Sequence, residues 1–192
     1  MVRRLEEALR RRFPGEDIKT LSEVLSFAAK KRKIRYEEIT VREDEKLDIL
    51  LFLEKERLLL PSKTSKSLAW EDRELTPKLG EEYEMPNVII HLIKKAEETG
   101  EWNPNYAVKR YMEDIGEPEA EKILELLNRV KEKAEGKEIT PEILEEVSGK
   151  LGLRSKLGRI IAELKGGGII SPCLRRFIQR RSVLYEINPS LY

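Results

Sequence analysis

A cluster of basic side chains near the C-terminus gives the clearest indication of chemistry in this sequence. The stretch from residue 151 to residue 165 contains one acid, Glu163, beside five candidate DNA contacts: Arg154, Ser155, Lys156, Arg159 and Lys165. Four arginines follow without an intervening acid: Arg175, Arg176, Arg180 and Arg181. A guanidinium group can donate two hydrogen bonds to a guanine edge, while ammonium and hydroxyl groups suit phosphate oxygens. These residues therefore predict a surface that binds double-stranded DNA.

A helix is needed to present the first group of candidates on one side. Apolar residues recur at helical spacing and define a continuous face: Leu153, Leu157, Ile160, Ile161 and Leu164. This pattern predicts a helix over Arg154–Lys165 whose other side is basic and carries small residues, which permit close approach to DNA. A preceding helix is predicted over Pro141–Gly149, with a turn at Gly149–Gly152, so that the pair forms a helix–turn–helix.

A two-stranded hairpin is predicted to follow, with strands at Ile169–Leu174 and Val183–Ile187 and the four arginines in the loop between them. The segment over about residues 117–188, which contains the helix–turn–helix and the hairpin, resembles a winged helix. The resemblance implies that the Arg154–Lys165 helix enters the major groove. It also implies that the arginine-rich loop grips the adjacent DNA backbone.

Both basic groups also have a purely structural interpretation. Nearly every predicted helix here carries Lys and Arg, so the Arg154–Lys165 helix could present an ordinary solvated face. An arginine-rich hairpin tip also discourages a strand edge from pairing with other chains. Gly166–Gly168 lacks the spacing of a phosphate-binding loop, and we expect it to end the helix.

The N-terminal half shows a similar order of predicted elements. Helices are expected over residues 1–13, Thr20–Lys33 with a Thr20/Glu23 capping box, Tyr36–Thr40 and Asp44–Arg57. Strands are expected at Leu58–Pro61 and Leu68–Leu75, before a helix from Pro77 to about Thr99 with Pro86 as a candidate break. Residues 18–99, with the motifs LEKERLLL and RELTPKLGEE, resemble a winged helix of the MarR-like kind. Two further helices are predicted, at Asn103–Ile115 and Glu119–Glu135.

The helix that corresponds to the DNA-reading helix is acidic in the N-terminal unit. Asp44, Glu45 and Asp48 lie where a DNA reader would need cations, and their charges would repel phosphate. An apolar stripe is expected along the same helix: Leu47, Leu50, Leu51 and Leu58. We therefore expect this unit to dimerise or to dock another protein. The basic run Lys30–Lys33, with Arg35, could either contact phosphates or stabilise a helix C-terminus.

The net charge of +1 conceals a strong asymmetry along the chain. Residues 1–35 and 151–192 each carry a net charge of +6, while residues 36–150 carry −11. Basic ends favour contact with nucleic acid, and the acidic middle favours a basic protein partner. RNA binding ranks lower, because the chain lacks an aromatic-rich sheet of the kind that stacks exposed bases.

Several other functions are disfavoured by the residues present. Cys173 and His91 are the only cysteine and histidine, so neither a disulfide nor a zinc site is expected. Catalytic and nucleotide-binding motifs are missing, so we expect no enzyme and no cofactor. Trp70 and Trp102 are expected at the core or the domain junction. Without a signal-peptide pattern or a membrane-length apolar run, the prediction is a cytoplasmic protein with no membrane partner. The scarcity of Gln and Asn beside abundant Glu, Lys and Arg predicts a thermophilic or archaeal source.

Together these patterns predict a mainly α-helical α+β fold with small β-hairpins, built from two winged-helix-like units of three helices and a wing. The predicted bounds are residues 1–100 for the N-terminal unit, 101–116 for a linking helix and 117–192 for the C-terminal unit. The predicted function is double-stranded DNA binding in transcriptional regulation, by analogy with other proteins of this fold. The alternative is a winged-helix scaffold that binds protein instead. A homodimer would suit a palindromic DNA site.

Overall fold

Helices make up most of the structure, and two small antiparallel sheets accompany them. A computed structural model describes residues 2–62, 69–134, 136–173 and 183–192. The first part contains α1 (Val2–Arg12), α2 (Ile18–Lys31), β1 (Lys33–Arg35), α3 (Glu43–Lys55), β2 (Leu60–Pro61), β3 (Glu82–Glu84) and α4 (Asn87–Thr99). The second contains α5 (Pro104–Asp114), α6 (Ala120–Lys133), β4 (Glu138–Ile139), α7 (Pro141–Lys150), α8 (Leu157–Gly167), β5 (Ile170–Cys173) and β6 (Leu184–Ile187). The predicted mainly α, α+β fold class is confirmed.

The two sheets have the same strand order. The first is ordered β1-β3-β2 and the second β4-β6-β5, and every pairing is antiparallel. In each sheet the last strand along the chain therefore lies in the middle. Ile34 pairs with Tyr83 in the first sheet, and Ile139 pairs with Tyr185 in the second. The short strands β1 and β4 were not predicted, because a run of two or three residues carries little alternation.

Several predicted helix ends differ from the observed ones. α2 begins at Ile18 with Asp17 as its N-cap, whose carboxylate accepts a hydrogen bond from the Thr20 amide at 3.3 Å. The predicted Thr20 capping box is therefore wrong. The helix predicted over Arg154–Lys165 is also wrong at its start, because Arg154–Lys156 form a 3-10 turn and α8 begins at Leu157. Tightening of the first turn in this way is common at helix ends.

The segment before α4 departs most from the prediction. In place of the strand at 68–75, Trp70–Asp72 form a 3-10 turn, and no helix begins at Pro77; Leu68 lies outside the described residues. The third strand is Glu82–Glu84, where Tyr83 is buried opposite Ile34 and Pro61. Sheet pairing and burial thus prevail over the local helical pattern, and the helix begins only after Pro86.

One apolar core runs through both halves of the chain. Trp70 is buried at their junction, as predicted, and its amide donates to the Ser171 hydroxyl at 2.9 Å. The Asn188 side chain donates to the Arg57 carbonyl at 3.2 Å across the same junction. The two halves are therefore packed against each other, while the exact domain bounds remain a prediction. Within the described ranges, none of the helices is long and apolar enough to cross a membrane.

Candidate nucleic-acid interface

The turn between α7 and α8 is fixed by local contacts. α7 begins with Pro141, and the Thr140 hydroxyl accepts a hydrogen bond from the Ile143 amide at 3.3 Å. At the other end Gly152 has a φ of +71°, and the Leu153 amide donates to the Ser148 carbonyl at 2.8 Å. Glycine adopts this left-handed conformation without steric penalty, so the chain reverses sharply into the 3-10 turn and α8.

The outer face of α8 is lined with small side chains. Its buried side carries Ile160 and Leu164, as the apolar spacing predicted. The exposed side, which we call the small-residue face, consists of Ser155, Gly158, Ala162 and Gly166. A Cβ atom built on Gly158 would meet no other atom within 4 Å, so the face is open at its centre, whereas a Cβ atom on Gly166 would lie 3.4 Å from the Tyr111 hydroxyl. A second surface can therefore approach the helix backbone closely.

Cations border the small-residue face on both sides, at helical spacing. Arg154 is the most exposed of them, with 73% of its side chain accessible, and its nearest carboxylate oxygen is that of Glu145 at 3.6 Å. Lys156 is more firmly engaged, because its Nζ lies 2.5 Å from a carboxylate oxygen of Glu119. Exposed pairs of the first kind contribute about 0–1 kcal/mol, so a phosphate can compete for Arg154.

Arg159 is held in a different way from the other candidates. Both of its terminal nitrogens donate to Glu117, whose side chain is fully buried, and Nη1 also lies 2.8 Å from Glu163. The bond from Arg159 lowers the pKa of the Glu117 carboxyl, so that the pair stays charged. Arg159 therefore satisfies a buried carboxylate within the fold, a role that the sequence did not predict.

Glu163, the single acid in the basic stretch, completes this cluster. Burial and the nearby charge of Glu117 raise the pKa of its carboxyl. Its Oε2 atom is buried and accepts no hydrogen bond in the described structure. The carboxylates facing α8 come from the α5–α6 connection and from α7. A pattern confined to residues 151–165 could not reveal them, and we find no sequence signal that would.

Lys165 lies at the far end of α8, beside the basic run of the N-terminal half. It lines a cavity of about 180 Å³ together with Arg32 and Lys33. The structure thus brings together two basic groups that are more than 130 residues apart in the sequence. Arg154 and Ser155 are exposed and Lys165 is half-buried, and among the described residues none of the three has an ion pair closer than the 3.6 Å contact of Arg154 with Glu145.

The four arginines of the predicted wing, Arg175, Arg176, Arg180 and Arg181, lie outside the described residues. The flanking strands are present, with Cys173 paired opposite Leu184, close to the predicted strand bounds. The predicted contact of the four arginines with the DNA backbone stays a prediction.

Metal and thiol chemistry find no support among the described residues. No group of three His, Cys, Asp or Glu side chains in that part of the chain could hold a metal ion. Burial raises the pKa of the Cys173 thiol to about 12, which keeps the thiol protonated at neutral pH. Burial likewise lowers the pKa of His91, which packs beside Asp114 with 3.4 Å between Nε2 and the carboxylate.

Comparison with known proteins gives one match. A protein-family model matches residues 3–192, which extends across both halves of the chain. No curated protein and no solved structure is significantly similar to it.

Proposed function

We propose that this protein, which belongs to the family matched over residues 3–192, binds double-stranded DNA through its C-terminal unit. The observation that carries the proposal is the open small-residue face of α8, bordered by Arg154 and Lys165. A helix with this surface can approach the floor of a major groove while its cations reach phosphates or guanine edges.

The connectivity of the two units supports the winged-helix assignment. The C-terminal unit runs helix, strand, helix, helix, strand, strand through α6, β4, α7, α8, β5 and β6. The N-terminal unit repeats this order through α2, β1, a 3-10 turn, α3, β2 and β3. A helix–turn–helix followed by two paired strands is the arrangement that the resemblance implies. We propose a transcriptional regulator acting in the cytoplasm, without catalysis, by analogy with this fold.

The contacts of α8 refine which residues meet DNA. Arg154 and Lys165 supply charge, and Ser155 supplies a hydroxyl at the helix start. Lys156 and Arg159 contribute less, because Glu119 and Glu117 already neutralise them. In this proposal the wing arginines Arg175, Arg176, Arg180 and Arg181 keep their predicted contact with the backbone.

The test is a fluorescence-anisotropy titration of a labelled 20-base-pair duplex at two salt concentrations. Arg154→Glu and Ala162→Glu each place a carboxylate at the small-residue face. Each should weaken binding about 10-fold or more, an effect of about 1.4 kcal/mol, because Arg154→Glu replaces a charge-assisted contact by a repulsion and Ala162→Glu brings a new carboxylate against the phosphates. Lys19→Glu is the matched control for Arg154→Glu, because Lys19 is an exposed cation on α2 and the charge change is identical. If the wild type does not bind at low salt, or if Lys19→Glu loses as much affinity as Arg154→Glu, the proposal is wrong.

A second function, docking of a protein with a basic surface, is favoured by α3. Leu47 and Leu51 lie four residues apart on its outer side and are 44% and 46% exposed. The sequence predicted one apolar stripe of Leu47, Leu50, Leu51 and Leu58. Leu50 and Leu58 are buried, but the prediction is wrong for Leu47 and Leu51, which are exposed. Asp44 and Asp48 are exposed on the same helix. An apolar centre with an acidic border suits an amphipathic helix rich in lysine.

A labelled helical peptide of leucine and lysine at amphipathic spacing tests this second function. It should bind the wild type and lose most of its affinity for the Leu47→Asp/Leu51→Asp variant, which changes only exposed side chains. Equal binding to both proteins, or none to the wild type at about 100 µM, a concentration at which even a weak complex of roughly −5 kcal/mol is detected, would exclude α3 as the docking surface.

A further inference from the structure

We infer that the cavity between α8 and the N-terminal unit is a binding site for a small oxyanion such as a phosphate group. The cavity measures about 180 Å³, which corresponds to roughly six waters at about 30 Å³ each. The inference shares Lys165 with the proposed DNA-binding surface, but its other cations, Arg32 and Lys33, are separate from that surface, so it stands whether or not the small-residue face binds DNA.

The basic run Lys30–Lys33 with Arg35 divides into paired and unpaired cations. Lys31 forms an ion pair with Glu38, and Arg35 lies 3.7 Å from Glu82. Arg32 and Lys33, in contrast, line the cavity, and among the described residues neither has a carboxylate within 4 Å. Cations stabilise the C-terminus of α2, which accounts for the basic run Lys30–Lys33. It does not account for the position of Arg32 and Lys33 in the wall of a cavity.

Lys165 adds a third cation from the opposite wall. It belongs to α8, is partly buried, and likewise has no ion pair within the described part of the chain. The remaining charged residues of the wall are Arg73 and Glu84, which pair with each other at 2.8 Å. Among the described lining residues, four cations and one carboxylate give a net charge of +3. Like charges repel in a confined space, and an anion relieves that repulsion.

Neutral donors complete the wall. Trp70 lines the cavity and is only 3% exposed. α4 begins at the cavity, where Pro86 offers no side-chain oxygen to cap the first turn. First-turn N–H groups of a helix favour anions, and Asn87, the first residue of α4, lines the cavity.

The C-terminal end of α8, where backbone carbonyls point out of the helix, also lies at the cavity. Two of its last carbonyls are already satisfied, because the Gly168 amide donates to the Lys165 carbonyl and the Ile169 amide to that of Leu164, at 3.1 and 2.9 Å. The Gly168 carbonyl accepts from the Asn188 side chain at 3.1 Å. These carbonyls therefore have no need of a cation, which leaves Lys165 available to a ligand.

The two walls are held at a fixed separation. Gly168 has a φ of +73°, and a Cβ atom at this position would lie 2.5 Å from the Pro86 Cβ. Only glycine permits α8 to end this close to the start of α4. The backbone segments that carry the cations are therefore held in place before a ligand arrives, which reduces the entropy lost on binding.

Calorimetric titration of the full chain with inorganic phosphate tests the site, with chloride adjusted to keep the ionic strength constant. Wild type should give saturable binding. Lys33→Ala/Lys165→Ala should weaken phosphate binding about 10-fold or more, since each charge-assisted hydrogen bond contributes more than about 1 kcal/mol. Lys30→Ala/Lys55→Ala removes the same charge from exposed lysines outside the cavity and should change the affinity less than about 2-fold.

A competition experiment identifies the source of the phosphate. Displacement of a labelled duplex by inorganic phosphate, with matching affinity, assigns the site to the DNA backbone. Independent binding of phosphate and duplex, or phosphate binding without any duplex binding, assigns it to a free phosphorylated molecule. No phosphate effect beyond that of chloride, or an equal loss in the Lys30→Ala/Lys55→Ala control, overturns the inference.

Discussion

Arg159 on α8 forms an ion pair with Glu117, a fully buried carboxylate at the connection between α5 and α6. The second guanidinium nitrogen donates to the other carboxylate oxygen at 3.3 Å, so the contact is bidentate. Glu163 lies on the same guanidinium at 2.8 Å. The predicted DNA-reading helix is thus attached to the connection between α5 and α6 through one of its own predicted DNA contacts.

Replacing Arg159 is expected to destabilise the protein. Arg159→Ala leaves the buried Glu117 without its cation, so the free energy of unfolding should fall by about 2–4 kcal/mol. Glu117→Gln should cost about 1–2 kcal/mol, because an amide can still accept a hydrogen bond. The double variant should be more stable than Arg159→Ala alone. Urea denaturation of the four proteins measures this coupling, and strictly additive losses would contradict it.

Releasing Arg159 is expected to strengthen DNA binding, if the proposed function holds. Glu163→Gln removes one of the two charges that neutralise this guanidinium. Duplex affinity at low salt should therefore rise about 3- to 10-fold, with a steeper dependence on salt. Glu101→Gln removes an equal charge from an exposed position outside this cluster and serves as control. An identical gain in both variants would attribute the effect to net charge alone.

The close contact between Gly168 and Pro86 can be tested against a glycine of the same backbone conformation. Gly168→Ala adds a clash at 2.5 Å to the strain of a φ of +73°, and should destabilise the protein by about 2–4 kcal/mol. Gly152→Ala has a φ of +71° but no atom within 4 Å, so it should cost about 1 kcal/mol. Thermal unfolding of the two variants separates the clash from the strain. Equal losses would mean that α8 and α4 are not in close contact.

Two neighbouring leucines of α3 should respond very differently to truncation. Leu50 is 1% exposed, and Leu50→Ala should lower the free energy of unfolding by about 2–5 kcal/mol. Leu51 is 46% exposed, and Leu51→Ala should change it by no more than about 0.5 kcal/mol. A large loss for Leu51→Ala in a dilute sample would place that side chain in an interface that forms in solution.

The buried Cys173 thiol gives the stability a defined dependence on pH. Burial raises its pKa from 9.0 to about 12, so the folded state retains a proton that the unfolded state loses. The contribution is fully present below pH 9 and disappears as the pH rises from 9 to 12. The stability difference between wild type and Cys173→Ala should be constant from pH 6 to 8 and shift against the wild type by about 1 kcal/mol at pH 10. A constant difference up to pH 10 would indicate an ordinary thiol.

Local patterns in the sequence were sufficient for most of the helices. The apolar spacing from Leu153 to Leu164 predicted the buried side of α8, and the prolines at 104 and 141 marked the starts of α5 and α7. Such features depend on residues within about four positions of each other, which are in contact as soon as the helix forms. The mainly α-helical fold class follows from the same patterns.

Contacts between distant residues were decided only by the tertiary structure. The strand at Glu82–Glu84 exists because Tyr83 is buried against β1 and β2, although the local pattern predicted a helix there. The exposure of Leu47 and Leu51 likewise depends on which side of α3 the core covers. Periodicity identifies an apolar stripe, but it does not state how much of that stripe finds a partner.

The candidate site also depends partly on local sequence patterns and partly on contacts between distant residues. The sequence by itself determined that α8 is amphipathic, basic and small on its outer side. Only the fold brings Glu117 to Arg159 and places Lys165 beside Arg32 and Lys33. The reason is physical: the charge that a cation presents to a ligand depends on every carboxylate within a few ångströms, and these carboxylates come from segments far away in the chain.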